Sequence, residues 1–258
     1  MEFENKIAIV TGASMGIGEA SAKAFATEGA SVVLVDIDEE NGNRVAGEIN
    51  DTGGKAVLLK ADVSNSKEVK KIPEIAVKAF GGIDILHNNA GIQHYGTVTS
   101  TSEEEWDRVL GINLKSIYLC ANYCIPEMIK RGGGTIVNTA SVQSFACQQN
   151  VAPYTTSKAG ILALTRSIAV DFAAHKIRAN AVCPGSVDTP MLRWAANLAS
   201  DGKNVDQLID EWGKHHPIGR VAKPEEVAQV VLFLAGPRSS FVTGSAYMVD
   251  GGLLAKFF

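Results

Sequence analysis

Tyr154 and Lys158 stand four residues apart in a stretch patterned as a helix, so their side chains share one face. A phenol titrates near pH 10 or so when unperturbed, and a neighbouring ammonium favours the phenolate. The pair therefore suits general acid and base catalysis near neutral pH. Ser141 follows a β-branched run, at the carboxyl edge of an expected strand. Its hydroxyl can hydrogen-bond a substrate oxygen and steady developing negative charge. A core tyrosine, a surface lysine and a helix-capping serine are the plain alternatives for the three taken singly. Far upstream, Thr11-Gly12-Ala13-Ser14-Met15-Gly16-Ile17-Gly18 joins a first strand to a helix. Gly12 permits the tight turn, Gly16 lets backbone approach a pyrophosphate, and Gly18 lets the helix pack on the strand. The first N–H groups of the helix and its partial positive charge then face the phosphates. The spacing is Gly-x-x-x-Gly-x-Gly, and a plain turn can have this composition. Its place at the head of an α/β pattern favours a dinucleotide.

Asp36 ends the second expected strand, about 20 residues past Gly16, where an acidic side chain accepts from the ribose hydroxyls of an adenosine. Ile37, Asp38, Glu39 and Glu40 follow, with no arginine or lysine beside them to neutralise a 2′-phosphate. The cofactor expected is NAD rather than NADP. Capping of the next helix by Asp36 or Asp38 is compatible with this.

These residues need a frame that gathers them. Short β-branched runs at Ile7–Val10, Ser31–Val35, Ala56–Lys60, Ile83–His87, Gly134–Thr139, Ile177–Val182 and Ala246–Val249 alternate with helical patterns, among them Ile17–Glu28, Glu39–Asn50, Lys67–Phe80 and Pro153–Ala173. The alternation predicts an α/β fold, a Rossmann-type doubly wound parallel sheet of about seven strands with helices on both faces. Ligands bind such sheets at the carboxyl ends of their strands. The 258 residues fit a single dinucleotide-binding catalytic domain spanning the chain. One long interruption, about 186–217, is rich in small and polar residues, and an excursion of that length is expected to be a substrate-binding lid.

The chain resembles the short-chain dehydrogenase/reductase family in its shorter form. The resemblance covers nearly the whole length. It rests on Thr11–Gly18, Asp62-Val63, Asn88-Asn89-Ala90-Gly91, Asn113, Ser141, Tyr154-Thr155-Thr156-Ser157-Lys158, Pro184-Gly185 with Thr189, and Val249-Asp250-Gly251-Gly252. It implies an oxidoreductase moving a hydride between a nicotinamide and a secondary alcohol or carbonyl, with Asn113, Ser141, Tyr154 and Lys158 as catalytic residues. Lys158 would also bind the nicotinamide ribose, and Asn113 would kink its helix and hold a water leading to the lysine. Ser14, Met15 and Ile37 would join the glycines and Asp36 around the cofactor. Asp62 and Val63 would border the adenine, Asn89, Ala90 and Gly91 the ribose, and Pro184, Gly185, Val187 and Thr189 the nicotinamide. The family also implies a homotetramer, built through the helices carrying Asn113 and Tyr154 and through the C-terminal strand. The apolar tail from Leu253 to Phe258 would then be covered by a neighbouring subunit.

For the substrate, Gln93, His94, Gln143, Gln148, Gln149 and Asn150 offer amides and an imidazole that suit several hydroxyls, and Trp194 is a candidate to stack on a sugar face. A sugar, sugar acid or polyol is the favoured class. A 3-oxoacyl thioester reductase is the nearest alternative. Asp36 opposes its usual NADPH, and no basic patch for a carrier protein stands out. A nucleotide-binding regulatory protein without turnover is the alternative of another kind, and an intact set of catalytic residues speaks against it. The net charge of -4 gives no electrostatic reason to bind nucleic acid or an anionic membrane. No basic-then-apolar leader opens the chain and no run approaches a membrane span, so the cytoplasm is expected. Cys120, Cys124, Cys147 and Cys183 lack clustered partner ligands and read as small reduced thiols, with no metal expected.

Overall fold

The computed structural model describes residues 1–256; Phe257 and Phe258, which end the apolar tail, lie outside the described residues. Seven strands form one sheet: β1 (Ile7–Thr11), β2 (Ser31–Asp36), β3 (Lys55–Lys60), β4 (Ile85–Asn88), β5 (Gly134–Thr139), β6 (Ile177–Pro184) and β7 (Ala246–Val249). Their order is β3-β2-β1-β4-β5-β6-β7, and every pairing is parallel. Successive side chains of a strand point to opposite faces, so Ala8, Val10, Val32 and Leu34 enter one core and Ile9, Val33 and Val35 the other. Helices α1 (Gly16–Thr27) and α2 (Glu39–Asp51) cover the first face. The second face takes Ile72 and Ala76 from α4 (Lys71–Phe80), which follows the single turn α3 (Ser66–Val69). Next comes α5 (Glu103–Leu110), which runs through a π-turn (Gly111–Lys115) into α6 (Ser116–Arg131). Helix α6 and α7 (Ala152–Asp171) complete the second face. Later helices are α8 (Pro190–Ala199), α9 (Val205–Gly213) and α10 (Pro224–Ala235), the last returning to the first face with Val227 and Val231.

The chain fills the sheet outward from β1 to β3, then crosses back and fills the other side from β4 onward. A crevice therefore opens at the carboxyl ends of β1 and β4, where the strand order reverses. The glycine turn leaves β1 there, and Asn89-Ala90-Gly91 leaves β4 beside it. Gly12 has φ +63°, and a Cβ on it would lie 2.8 Å from the Ala90 Cα, so only glycine fits.

Two expectations are revised, and a third is given internal structure. The helix over Lys67–Phe80 is two, because Pro73 has no N–H to return to the Val69 carbonyl and is accommodated in the first turn of a helix that starts afresh at Lys71. β4 begins at Ile85 rather than Ile83, because the Asp84 carboxylate takes the Ile7 N–H at 3.0 Å. The 186–217 segment is mostly helical. Helices α8 and α9 share a small core of Ala196, Leu208 and Ile209, with Leu192, Val205 and Trp212 packed against it. Among the described residues no helix is long and apolar enough to cross a membrane.

Candidate active site

One cavity of about 980 Å³ runs along the carboxyl ends of the strands. Gly12, Met15, Gly16, Ile17, Asp36, Ile37, Asp62, Val63, Asn89, Ala90 and Gly91 line it together with Pro184, Gly185, Val187 and Thr189; Thr189 stands against the glycine turn, where a Cβ on Gly16 would lie 3.1 Å from its Cγ2. The cofactor residues expected from the sequence thus fall together, with two qualifications. Ser14 is fully buried behind the turn, where its N–H donates to the Asp36 carboxylate (3.0 Å) and its hydroxyl to the Asp38 carbonyl (3.1 Å). Gly18 packs against the Gly12 carbonyl, the helix-to-strand role expected of it. Asp36 is fixed on both oxygens, since the Asp38 N–H donates to the other at 3.0 Å. Asp38 also caps α2. No side chain caps the first turn of α1, so that turn offers its N–H groups to an anion. The sequence shows no cation beside Asp36, but the fold brings one close. Arg44 on α2 donates to the Ser14 carbonyl at 3.3 Å, while Glu19 and Glu48 hold its guanidinium at 2.9 to 3.0 Å.

Ser141, Tyr154 and Lys158 meet in the middle of the cavity. The 3₁₀ turn Val142–Ser144 is tied to α7: the Ser144 hydroxyl donates to the Lys158 carbonyl and the Thr155 hydroxyl to the Gln143 carbonyl. That fixes Ser141 relative to Tyr154. Ser141 Oγ accepts from the Gln143 N–H at 3.1 Å, the capping role, and keeps its own proton to donate. Lys158 is 4% exposed; its Nζ donates to the Thr139 carbonyl at 2.8 Å and lies 5.6 Å from the Tyr154 ring centre. Asn113, in the π-turn, accepts from the Ile92 N–H (2.8 Å) and donates to the Ile92 carbonyl (2.9 Å) and to Ser157 Oγ (3.1 Å). A Cβ on Gly91 would sit 3.3 Å from Asn113 Oδ1 and 3.5 Å from Lys158 Nζ, so the three crowd one corner.

Burial dominates the titration of both groups. It pushes the Tyr154 phenol up to about 12, with Ser141 pulling down and Tyr95 adding to the rise. It pushes Lys158 down to about 8, partly opposed by Cys183. The lowering of Tyr154 expected from its lysine neighbour does not appear: burial is the largest influence, and Lys158 is not among the others.

The substrate end is less as expected. Gln93, Gln143 and Gln148 line the cavity, and Gln143 Nε2 donates to Gln148 Oε1 at 3.3 Å. His94 points away, its Nδ1 3.2 Å from Glu105, because neighbouring side chains alternate along the segment and Gln93 and Tyr95 take the cavity side. Trp194 is 43% exposed and reaches the site only by stacking on Tyr95, ring centres 5.9 Å apart. Leu253 and Leu254 line the cavity instead of projecting as an apolar tail. Sequence reasoning missed Tyr95, Thr139, His215 and His216. The alternation after Gly91 was a signal for Tyr95, and the His-His pair before Pro217 was a signal for the histidines.

A family model described as enoyl-(acyl carrier protein) reductase matches residues 12–254. Cyclohexanol dehydrogenase of Acinetobacter sp. (strain SE19) is 41% identical, over 99% of this chain and 97% of that protein. The ligand-free aldohexose dehydrogenase of Thermoplasma acidophilum superposes with a TM-score of 0.90 at 41% identity, covering 98% of this chain and 96% of that one. L-sorbose reductase from Gluconobacter frateurii, solved with NADPH and L-sorbose, gives a TM-score of 0.95 at 31% identity with both chains fully covered. Matched along its length in sequence and fold, and carrying the tyrosine, lysine and serine together in its cleft, the chain belongs to the short-chain dehydrogenase/reductase family, nicotinamide-dependent oxidoreductases that act on CH–OH groups.

Proposed function

We propose that the chain is an NAD-dependent dehydrogenase of small hydroxylated compounds, a sugar, sugar acid or polyol, with Tyr154 as the proton-transfer residue. The observation that carries this is the cavity joining Asp36 and the glycine turn to buried Ser141 and Lys158 and half-buried Tyr154. A dinucleotide fits the residues present: the uncapped start of α1 suits its phosphates, and the doubly anchored Asp36 suits ribose hydroxyls and repels a 2′-phosphate. When bound, the nicotinamide gives or takes the hydride, and the positive charge of its oxidised ring favours the phenolate. Tyr154 takes the hydroxyl proton in oxidation and returns it in reduction. Ser141, already accepting from Gln143, donates to the substrate oxygen. Lys158 spends one of its protons on Thr139 and has others for a ribose hydroxyl. Asn113, occupied by Ile92 and Ser157, holds the π-turn against this corner.

Helices α8 and α9 serve as a lid that excludes water from hydride transfer. Four free cysteines, three of them buried, suit a reducing cytoplasm. A second reading, an alicyclic alcohol, is favoured by Met191, Leu192, Ala195, Trp212, Leu253 and Leu254 along the cavity and by the cyclohexanol dehydrogenase likeness. The test is a spectrophotometric NADH screen over sugars, sugar acids, polyols and cyclohexanol, with Tyr154→Phe as control. The variant should bind NADH normally and lose at least about a thousandfold in turnover; retained activity removes Tyr154 from its role.

A further inference from the structure

His216 is 3% exposed and lies along the cavity, just past the end of α9. Its ring packs on Gly185, where a Cβ would come 2.6 Å from His216 Cε1. Nδ1 is 2.6 Å from the Asp250 carbonyl oxygen. A carbonyl only accepts, so Nδ1 carries the proton, and in the neutral ring Nε2 is left as an acceptor. Nε2 is buried and has no partner among the described residues. Buried polar atoms are rarely left so without reason.

The other such atoms give the reason. Six unpartnered side-chain atoms are buried among the described residues. Those of Ser21, His87 and Asn88 belong to side chains away from the cavity, while Gln93 Nε2, Gln143 Oε1 and His216 Nε2 belong to side chains lining it. One donor and two acceptors thus belong to side chains along one cavity. Hydroxyl groups, which both donate and accept, satisfy such a set; a hydrocarbon ring satisfies none of it.

We propose that His216 Nε2 accepts a hydrogen bond from an O–H or N–H of the bound ligand, and that the Asp250 carbonyl holds the imidazole in the tautomer that makes this possible. The donor is either a second hydroxyl of the substrate or the carboxamide of the cofactor. The inference rests on the proposed use of the cavity. With a substrate hydroxyl as the donor, His216 separates polyhydroxylated from simple alicyclic substrates; with the carboxamide, it is a cofactor-binding residue.

Two isosteres divide the imidazole. In His216→Asn the amide reaches only as far as Nδ1, so it keeps the bond to Asp250 and deletes Nε2. His216→Gln carries an acceptor out to the Nε2 position. With the best polyhydroxylated substrate, H216N should raise KM by about tenfold to a hundredfold, leave kcat within a few-fold, and leave Tm nearly unchanged. H216Q should recover most of the loss, and cyclohexanol should be indifferent to both. A tenfold rise in the NADH Kd by fluorescence titration, with substrate KM unmoved, assigns the donor to the cofactor carboxamide instead. If active wild type and H216N agree within twofold in KM and Kd, the proposal is overturned while the enzyme's assignment stands. It is equally overturned if both variants lose Tm and activity together, since the ring is then structural. Should H216N not fold, H216Q carries the test alone: near-native KM, Kd and Tm support the acceptor role, and losses like those of an unfolded ring refute it. A wild type that binds NADH but oxidises no hydroxylated substrate removes the proposed function and this inference with it.

Discussion

Lys158 occupies a place that is costly for a lysine. Burial holds it down to about 8, against the ordinary 10.5, so the folded chain binds its proton less tightly than the unfolded chain does. At pH 7 both states carry the proton, and the folded one bears a desolvation cost on the order of 3 kcal/mol. Lys158→Met should therefore abolish turnover yet raise Tm by a few degrees at pH 7, net of the lost bond to Thr139. Between pH 8 and 10.5 the unfolded chain binds this proton and the folded chain does not, so wild-type stability gains with rising pH and the advantage of the variant should shrink. Thermal melts at pH 7 and 9.5 check the sign; a variant that melts lower at pH 7 would place the lysine among stabilising groups. Cofactor choice is also decided by a few side chains. Asp36 should favour NAD over NADP on the order of a hundredfold or more, since like-charge contacts cost several kcal/mol and each 1.4 or so is tenfold. Asp36→Ala should relax that ratio. Adding Glu19→Gln, which loosens the hold on Arg44 beside the Ser14 carbonyl, should push it further toward NADP. Steady-state ratios and NADPH fluorescence titrations measure both steps, and an E19Q addition without effect would leave Arg44 a purely structural partner.

At the scale of elements, the segment from Ser186 to Pro217 is joined to the frame by a bridge between Val187 and Ala222 and braced by the Arg193 pairs with Asp188 and Asp206. Its core is only a satellite cluster. Amides in α8 and α9 should exchange with solvent faster than those of α6 or α7 in the free enzyme, and should slow when cofactor and substrate are both bound. Hydrogen exchange read by mass spectrometry tests this, and equal protection of α8 and α6 in the free enzyme would argue against a lid. This is also the scale at which the sequence was most readable. Each of the seven strands overlaps the run expected for it, β4 starting two residues late, and the inner ones were plainest because a strand covered on both faces must be apolar along its length. The glycine turn and the Tyr154–Lys158 pair were equally readable, since each is a local spacing. What was hidden depends on side-chain direction or on distant contacts. His94 and Trp194 turn aside, Leu253 and Leu254 return from the far end of the chain, and the apolar cavity wall is a product of the packing of α8 and α9. The split before Pro73 is legible in principle, from the missing N–H of a proline.

For the whole molecule, β7 closes the sheet as an edge strand whose residues alternate between exposed and half-buried, with Met248 40% exposed. Tyr118 on α6 and Val170 on α7 are 53% and 77% exposed. Bare edges and apolar side chains on the helices that carry the active site are unfavourable in water and suit subunit contacts. The chain should form a tetramer through these surfaces, as the family resemblance implies. Light scattering at micromolar concentration should give about four times the chain mass, and a monomer would refute it. Charged substitutions at Tyr118 and Val170 should dissociate the assembly before they unfold the chain.

The two ends of the chain meet the molecule very differently. Met1 packs on Gly29 and Glu2 pairs with Arg238, at the end of the sheet away from the cavity. At the other end, Asp250 receives the N–H groups of Gly252 and Leu254, and Leu253 and Leu254 form part of the cavity wall. An affinity tag or fluorescent fusion is therefore not a neutral choice for this enzyme. Attached at the amino end, it hangs from a surface remote from the chemistry. Attached at the carboxyl end, it follows closely on residues that line the cavity, and kinetics measured on such material should be compared with those of an amino-terminal fusion.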